Sequence, residues 1–110
     1  MRGHVVLLAS VILWAVASAV APAQEAGDPR SGYAVAREVC ADCHAVERGQ
    51  PRSPNVSAPT FAVIAAVPGI TAAALRVSLH TSHSDRTMPR LIVPPDDLRD
   101  VVAYILSLQP

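Results

Sequence analysis

The sequence predicts a small all-α domain, and three observations support this class. Where a regular pattern is visible, apolar residues recur at intervals of three and four, as expected for helices that bury one face. No segment alternates apolar and polar residues in the manner of a half-buried strand. Ten prolines and five glycines divide the sequence into short segments, so we expect helices separated by long loops.

The first 23 residues are predicted to be an export signal that is cleaved. An apolar run from Val5 to Val20 follows a short basic start, and small residues precede the expected cut between Ala23 and Gln24. The alternative is an uncleaved membrane anchor, but the run is shorter than the roughly 20 apolar residues that a spanning helix needs. We therefore expect cleavage, and no membrane span after it. The mature protein is therefore expected in the periplasm, an oxidising compartment.

The composition of the predicted mature chain argues against a nucleic-acid partner. Residues 24–110 hold eight arginines, no lysine and nine carboxylates, which gives a formal charge of −1. A surface that binds phosphates needs a surplus of cations. A domain of this size also gains little stability from its core alone, so we expect a cross-link or a bound cofactor to stabilise it.

The mature chain is predicted to begin with a flexible lead-in, residues 24–30, which is polar and contains glycine and proline. A single domain, residues 31–110, follows. Its first helix is predicted to run from about Ser31, a candidate N-cap, to Ala41. The apolar and small positions that follow helical spacing there are Val35, Ala36, Val39 and Cys43.

The middle of the chain is predicted to hold a long loop and two short helices. Residues 45–59 contain three prolines and a glycine, which break any regular element. The apolar run at residues 60–67 is closed by a Pro-Gly pair and predicts a helix of about two turns. Thr71 then begins another helix, in which Leu75 and Leu79 share a face.

The clearest helix lies near the C-terminus and follows a second long loop, residues 81–95. It begins at Asp96 and Asp97, whose negative charges suit the positive end of the helix dipole. Two loops of this length in so small a helical domain predict that they wrap a bound group. The apolar stripe of the helix, at i, i+3, i+4, i+7 and i+8, consists of Leu98, Val101, Val102, Ile105 and Leu106.

The only two cysteines of the sequence stand in a C-x-x-C-H motif formed by Cys40, Cys43 and His44. This spacing is typical of covalent haem attachment, in which both thiols bond to the porphyrin and the adjacent imidazole binds the iron. We therefore predict one haem c with His44 as the proximal iron ligand. Two alternatives are weaker: a Cys40–Cys43 disulfide lacks a thioredoxin-like context, and a zinc site would have only His80 and His83 to complete it.

The second axial position of the iron is predicted to be filled by Met88. It is the only methionine of the predicted mature chain and lies in the second loop, away from any helical face that it could fill as a core residue. A His/Met ligand pair favours the reduced iron and raises its potential. His80, near the end of a helix, and His83, in the loop, are the alternative ligands.

Residues 32–108 resemble the small class I c-type cytochromes. The stretches that carry the resemblance are, in order, GYAVAREVCADCHAV, APTF, TMPRL and DDLRDVVAYILSL. The resemblance implies a small cytochrome c fold, in which N- and C-terminal helices cross and two to three further short helices and long loops wrap one covalently bound haem. It also implies a contact of Gly32 and Tyr104 at the crossing, and a Pro59 carbonyl that accepts a hydrogen bond from His44.

The chain departs from the larger members of that family because it has no lysines with which to dock partners. Docking would then depend on an apolar rim around the haem edge or on the loop arginines Arg48, Arg52, Arg86 and Arg90.

The expected function is one-electron transfer between redox partner proteins, without enzymatic activity, because both axial positions are filled. The segment HSDRTMPRL also resembles short cytochromes that are partners or small subunits of periplasmic dehydrogenases, such as sulfite-oxidising ones. We therefore expect either a monomeric carrier or the electron-accepting subunit of such a complex. Without ligation by Met88, the iron would be five-coordinate and typical of a haem sensor or a peroxidase-type protein.

Overall fold

The computed structural model describes residues 26–82 and 92–110, and within these ranges it contains α-helices and no strand. The prediction of an all-α domain is confirmed. The predicted export signal and the part of the second loop that carries Met88 lie outside the described residues. The helices are α1 (Pro29–Val35), which continues into one π-helical turn (Ala36–Cys40), α2 (Phe61–Ala65), α3 (Ala72–Ser82) and α4 (Pro95–Ser107).

Helix α1 begins two residues before Ser31, so the predicted N-cap is wrong. Asp28 is the N-cap: its side chain accepts a hydrogen bond from the backbone N–H of Arg30 at 2.8 Å, and Pro29 occupies the first helical position. The Ser31 hydroxyl donates to the same Asp28 carboxylate at 3.2 Å. Because the Asp28 N–H donates to the Asp100 carboxylate at 2.7 Å, this cap also fastens the start of α1 to α4.

Helices α2 and α3 each begin after a threonine that caps them. The Thr60 hydroxyl accepts from the N–H of Val63 at 3.1 Å, and the Thr71 hydroxyl accepts from the N–H of Ala74 at 3.2 Å. Both starts agree with the sequence pattern. Helix α2 ends at Ala65, two residues earlier than predicted, whereas α3 continues to Ser82 and includes residues that we had assigned to the second loop.

Helix α4 has the apolar stripe that its sequence predicts. Leu98, Val101, Val102 and Ile105 are buried, and Leu106 is partly buried against the same core. The two aspartates lie in its first turn, directly after Pro95. The stripe packs against residues from the other helices, so that α4 is the element around which the core forms. The other members of this core include Ala36, Val46, Phe61, Ala65 and Leu75.

Helices α1 and α4 cross at a contact between their backbones. A Cβ atom built on Gly32 would overlap the carbonyl oxygen of Asp100, so any larger residue would force the two helices apart. Tyr104 lies one turn further along α4, where its ring is buried and packs against the ring of Tyr33, with the ring centres 5.2 Å apart and the ring planes tilted by 49°. The small residue and the aromatic residue therefore both lie at the crossing, and Tyr104 is not a surface tyrosine.

Replacing Gly32 by alanine should destabilise the fold, because the added methyl group meets rigid backbone that no side-chain rotation can move. We expect Gly32→Ala to lower the free energy of unfolding by about 3 kcal/mol, measured by denaturant titration. The matched control is Ala34→Ser, an exposed position of the same helix, where the change should stay within about 0.5 kcal/mol. Equal stability of the two variants would contradict the close backbone contact.

Candidate functional site

One turn of chain holds both cysteines and the histidine of the C-x-x-C-H motif. It begins at Cys40, the last residue of the π-helical turn, and the Cys40 carbonyl accepts from the N–H of Cys43 at 3.1 Å and from that of His44 at 2.9 Å. Both cysteines are free thiols and are partly exposed, whereas His44 is 6% exposed. The local backbone therefore gathers two thiols and one imidazole in the order that the motif predicts.

The imidazole of His44 is oriented by a backbone carbonyl. Its Nδ1 lies 2.7 Å from the Pro59 carbonyl oxygen, and because a carbonyl only accepts, Nδ1 carries the hydrogen. In a neutral ring the other nitrogen, Nε2, then has the lone pair that can bind a metal ion. The contact between Pro59 and His44 that the resemblance implied is present. Pro59 owes its place to α2, since it directly precedes the Thr60 cap.

The backbone that follows His44 is tied down by hydrogen bonds from three separate parts of the chain. The Ala45 N–H donates to the Ser53 hydroxyl at 2.9 Å, and the Ala45 carbonyl accepts from the N–H of Phe61, also at 2.9 Å. From α4, the Tyr104 hydroxyl donates to the Val46 carbonyl at 2.6 Å. Because Ala45 and Val46 are buried, these bonds are shielded from water and hold the histidine's backbone in place.

Polar side chains extend this attachment to the surface at the helix crossing. The Tyr33 hydroxyl donates to the Glu47 carboxylate at 3.0 Å, and the Arg48 guanidinium donates to the Ser107 carbonyl at the end of α4 at 2.8 Å. The segment that follows the motif is therefore joined to both α1 and α4. A shallow cleft of about 420 Å³ lies between these groups. Arg48, a candidate docking residue, instead caps the C-terminal end of α4.

The environment of Cys40 does not favour a reactive or metal-binding thiolate. Burial, and secondly the neighbouring Cys43, raise the pKa of Cys40 to about 11. Formation of the Cys40 thiolate is therefore disfavoured in this environment. In residues 26–82 and 92–110, no three His, Cys, Asp or Glu side chains lie together in a way that could hold a metal ion.

The remaining candidate residues fall into two groups. His80 is described and is exposed on the last turns of α3, and Arg52 is exposed in the first loop. Met88 and His83, the other candidates for the second axial position, lie outside the described residues. The candidate docking residues Arg86 and Arg90 also lie outside the described residues.

Sequence reasoning missed several residues that support the site. Ser53 bonds to Ala45, and Tyr33 bonds to Glu47 in the same segment after the motif, but none of Ser53, Glu47 and Tyr33 was identified by a periodic pattern or a motif. Ser53 lies among the prolines of the first loop, which indicated irregular structure but no partner. Only tertiary contact identifies these three.

Comparisons with known proteins give a consistent family. The family model described as "Cytochrome c" matches residues 30–109. The chain is also similar to "Cytochrome c-552" of Bradyrhizobium diazoefficiens, with 33% identity over 107 residues, which cover 97% of this chain and 99% of that protein. No solved structure matches the chain at a significant level. Within the described residues, no helix has the length and apolar character needed to cross a membrane.

Removing the Ser53 hydroxyl should destabilise the site, because the buried N–H of Ala45 would lose its acceptor. We expect Ser53→Ala to lower the free energy of unfolding by about 1–3 kcal/mol in a denaturant titration. Ser57→Ala, an exposed serine of the same loop, is the control and should change stability by less than about 0.5 kcal/mol. A Ser53→Ala variant as stable as this control would show that the bond contributes nothing.

Proposed function

Because this chain belongs to the cytochrome c family, we propose that it is a periplasmic carrier whose single covalently bound haem c has His44 and Met88 as axial ligands. Family membership makes it a small class I c-type cytochrome, and hence a haem-based electron-transfer protein. The observation that carries the finer proposal is the orientation of His44, whose Nδ1–H is held by Pro59 on the turn that also bears both thiols.

The described residues fit a covalently bound haem on its proximal side. Cys40 and Cys43 would form the thioether bonds, and His44 would bind the iron through Nε2, the nitrogen that the Pro59 carbonyl leaves with a lone pair. That carbonyl keeps the ring at a fixed angle and makes it a better electron donor. The ring of Phe61, which is 2% exposed, lies 5.6 Å from the imidazole and supplies an apolar neighbour.

The second axial ligand is proposed from the sequence of the loop that follows α3. Met88 lies six residues after the end of α3 and is the only methionine beyond the predicted leader. A thioether opposite an imidazole raises the reduction potential and leaves no open position for a substrate. The haem then supplies one-electron exchange between Fe(II) and Fe(III), and the chain provides the ligands, their orientation and a low-dielectric pocket.

The location and the partners of the protein are proposed from its sequence and its family. The apolar run at residues 5–20 supports export and cleavage after Ala23, which would release the carrier into the periplasm. A cytochrome c implies redox partner proteins, and the balanced charge of this chain suits the small, weak encounters that are typical of electron transfer. The alternative to a free carrier is that this chain is the cytochrome subunit of a periplasmic dehydrogenase, for example a sulfite-oxidising one, which the segment HSDRTMPRL supports.

Optical spectra of the haem-loaded protein test the axial ligands. With His44 and Met88 bound, the protein should be low-spin in both oxidation states and should not bind carbon monoxide. Met88→Ala should become high-spin or bind carbon monoxide, because the iron loses one ligand, whereas His80→Ala and His83→Ala, as controls, should keep the parent spectrum. An unchanged Met88→Ala spectrum, together with a high-spin histidine variant, would move the second ligand to that histidine.

The two cysteines should decide whether the protein carries haem and folds. Without the covalent group the long loops have nothing to enclose, so Cys40→Ala/Cys43→Ala should lack haem after denaturing electrophoresis and lose most of its helical circular dichroism. The control is Asp42→Ala, an exposed residue between the cysteines, which should retain both properties. A double variant that melts cooperatively would contradict a haem-dependent fold.

A further inference from the structure

An exposed valine, Val56, lies beside the turn that carries the two cysteines. The N–H of Asn55 donates to the Cys43 carbonyl at 3.1 Å, which places this part of the first loop against the second cysteine. The Asn55 side chain accepts from the N–H of Ser57, and the Asn55 carbonyl accepts from the N–H of Ala58, both at 3.0 Å. Val56 is 98% exposed, so a hydrogen-bonded turn presents its apolar side chain to solvent.

A second exposed valine, Val39, directly precedes the motif. It lies in the π-helical turn next to Cys40 and is 37% exposed. Because Cys40 and Cys43 are themselves partly exposed, the edge of a haem bonded to them would lie near the surface. A redox partner brings its own cofactor closest to the haem by docking at that edge. The two valines therefore border the place where an electron would enter or leave the protein.

The exposed charges next to these valines are mostly acidic. Glu38 directly precedes Val39, Asp42 lies between the two cysteines, and both carboxylates are exposed. The nearby cation Arg37 is balanced by the Glu47 carboxylate, which lies 4.0 Å from its guanidinium. This pair therefore adds no net charge beside the motif.

The two arginines of the first loop contribute little to offset these acids. Arg48 is engaged at the C-terminal end of α4, where its guanidinium donates to the Ser107 carbonyl. Arg52 is exposed and precedes Ser53, which bonds to the residue after His44. One cation against two carboxylates gives this part of the described surface a small excess of negative charge. That sign is opposite to the lysine-based docking of the larger family members.

We infer that Val39 and Val56 form the contact surface for a redox partner that presents an apolar patch with basic residues at its rim. The inference rests on the proposed function, because it assumes a haem attached at Cys40 and Cys43. The valines supply the apolar centre of a small interface, and the carboxylates of Glu38 and Asp42 attract the basic rim. The partner is thus identified by its apolar and cationic chemistry.

Tris(phenanthroline)cobalt(III), an apolar trication that accepts one electron, reproduces both features of this partner. The reduced, haem-loaded protein is mixed with the complex in a stopped-flow instrument, where Fe(II) becomes Fe(III) as cobalt(III) becomes cobalt(II). Val56→Ser should lower the bimolecular rate constant roughly fivefold, because the apolar contact is lost. Asp42→Asn should lower it roughly threefold at low ionic strength, because one attracting charge is lost.

Ferricyanide, a hydrophilic trianion, is the matched probe. Val56→Ser should leave its rate constant unchanged, and Asp42→Asn should raise it, because a repelling charge is removed. Val77→Ser, at an exposed valine of α3, is the control variant and should react with both complexes as the parent does. The midpoint potential and the optical spectrum of each variant separate an effect on docking from a change in driving force or in the haem environment.

Binding is measured apart from electron transfer with tris(phenanthroline)chromium(III), which is paramagnetic and too weak an oxidant to react with a His/Met-ligated haem. In the nuclear magnetic resonance spectrum of the reduced protein, this complex should broaden the methyl signals of Val39 and Val56. The methyl signals of Val77 should stay sharp. Asp42→Asn should require a higher concentration of the complex for the same broadening.

Three outcomes would overturn the inference. The first is broadening confined to other surfaces, and the second is an equal cobalt rate constant for Val56→Ser and Val77→Ser. The third is a parent protein that sediments as a dimer and becomes a monomer in Val56→Ser, because the valines would then contact a second copy of this chain. In each case a covalently attached, low-spin haem leaves the electron-carrier proposal standing, whereas a chain without haem overturns both proposals.

Discussion

The close contact between α1 and α4 is the constraint on which the rest of the structure depends. At Gly32 the two helices approach until a backbone carbonyl of α4 occupies the space of a side chain, and the cap of α1 is bonded to the same Asp100. Because α1 continues through a π-helical turn into Cys40, the position of the crossing also sets the position of the haem-binding turn. The contact that stabilises the helix pair therefore also fixes the position of the turn that would hold the haem.

From the crossing, a small number of buried polar bonds carry that constraint to His44, the proposed proximal ligand. Tyr104 holds the Val46 carbonyl, and the segment before α2 supplies the Pro59 carbonyl that orients His44. Ser53 accepts from the residue next to that histidine, from a loop with no regular structure. Buried polar groups are costly when unpaired and strong when paired, so the site is rigid because each of these groups has a partner. Rigidity suits electron transfer, since the ligands need not move when the iron changes charge.

The sequence could predict the helices, the motif and the residues at the crossing, because each of these depends on local spacing or on a resemblance with specific motifs. Thr60 and Thr71 each cap a helix through a hydrogen bond to a residue three positions later, so the local sequence is enough to predict them. The contacts of Gly32 and Pro59 were predicted from the resemblance to the family. The start of α1 was predicted wrongly because Asp28 and Ser31 are both good caps, and the bond that favours Asp28 comes from a residue 72 positions away. The roles of Ser53 and Glu47 were not predicted for the same reason, because only the tertiary fold determines their hydrogen-bond partners.

The ring contacts among His44, Phe61, Tyr104 and Tyr33 follow from the packing that stabilises the fold. Tyr104 fills the crossing beside Tyr33 and touches Phe61. Phe61 in turn lies against His44 because α2 begins two residues after the proline that orients that histidine. Core packing alone would be satisfied by any rings of this size, including phenylalanine at position 33. The hydroxyl of Tyr33 is what packing does not require, and its bond to the Glu47 carboxylate joins α1 to the segment that follows His44.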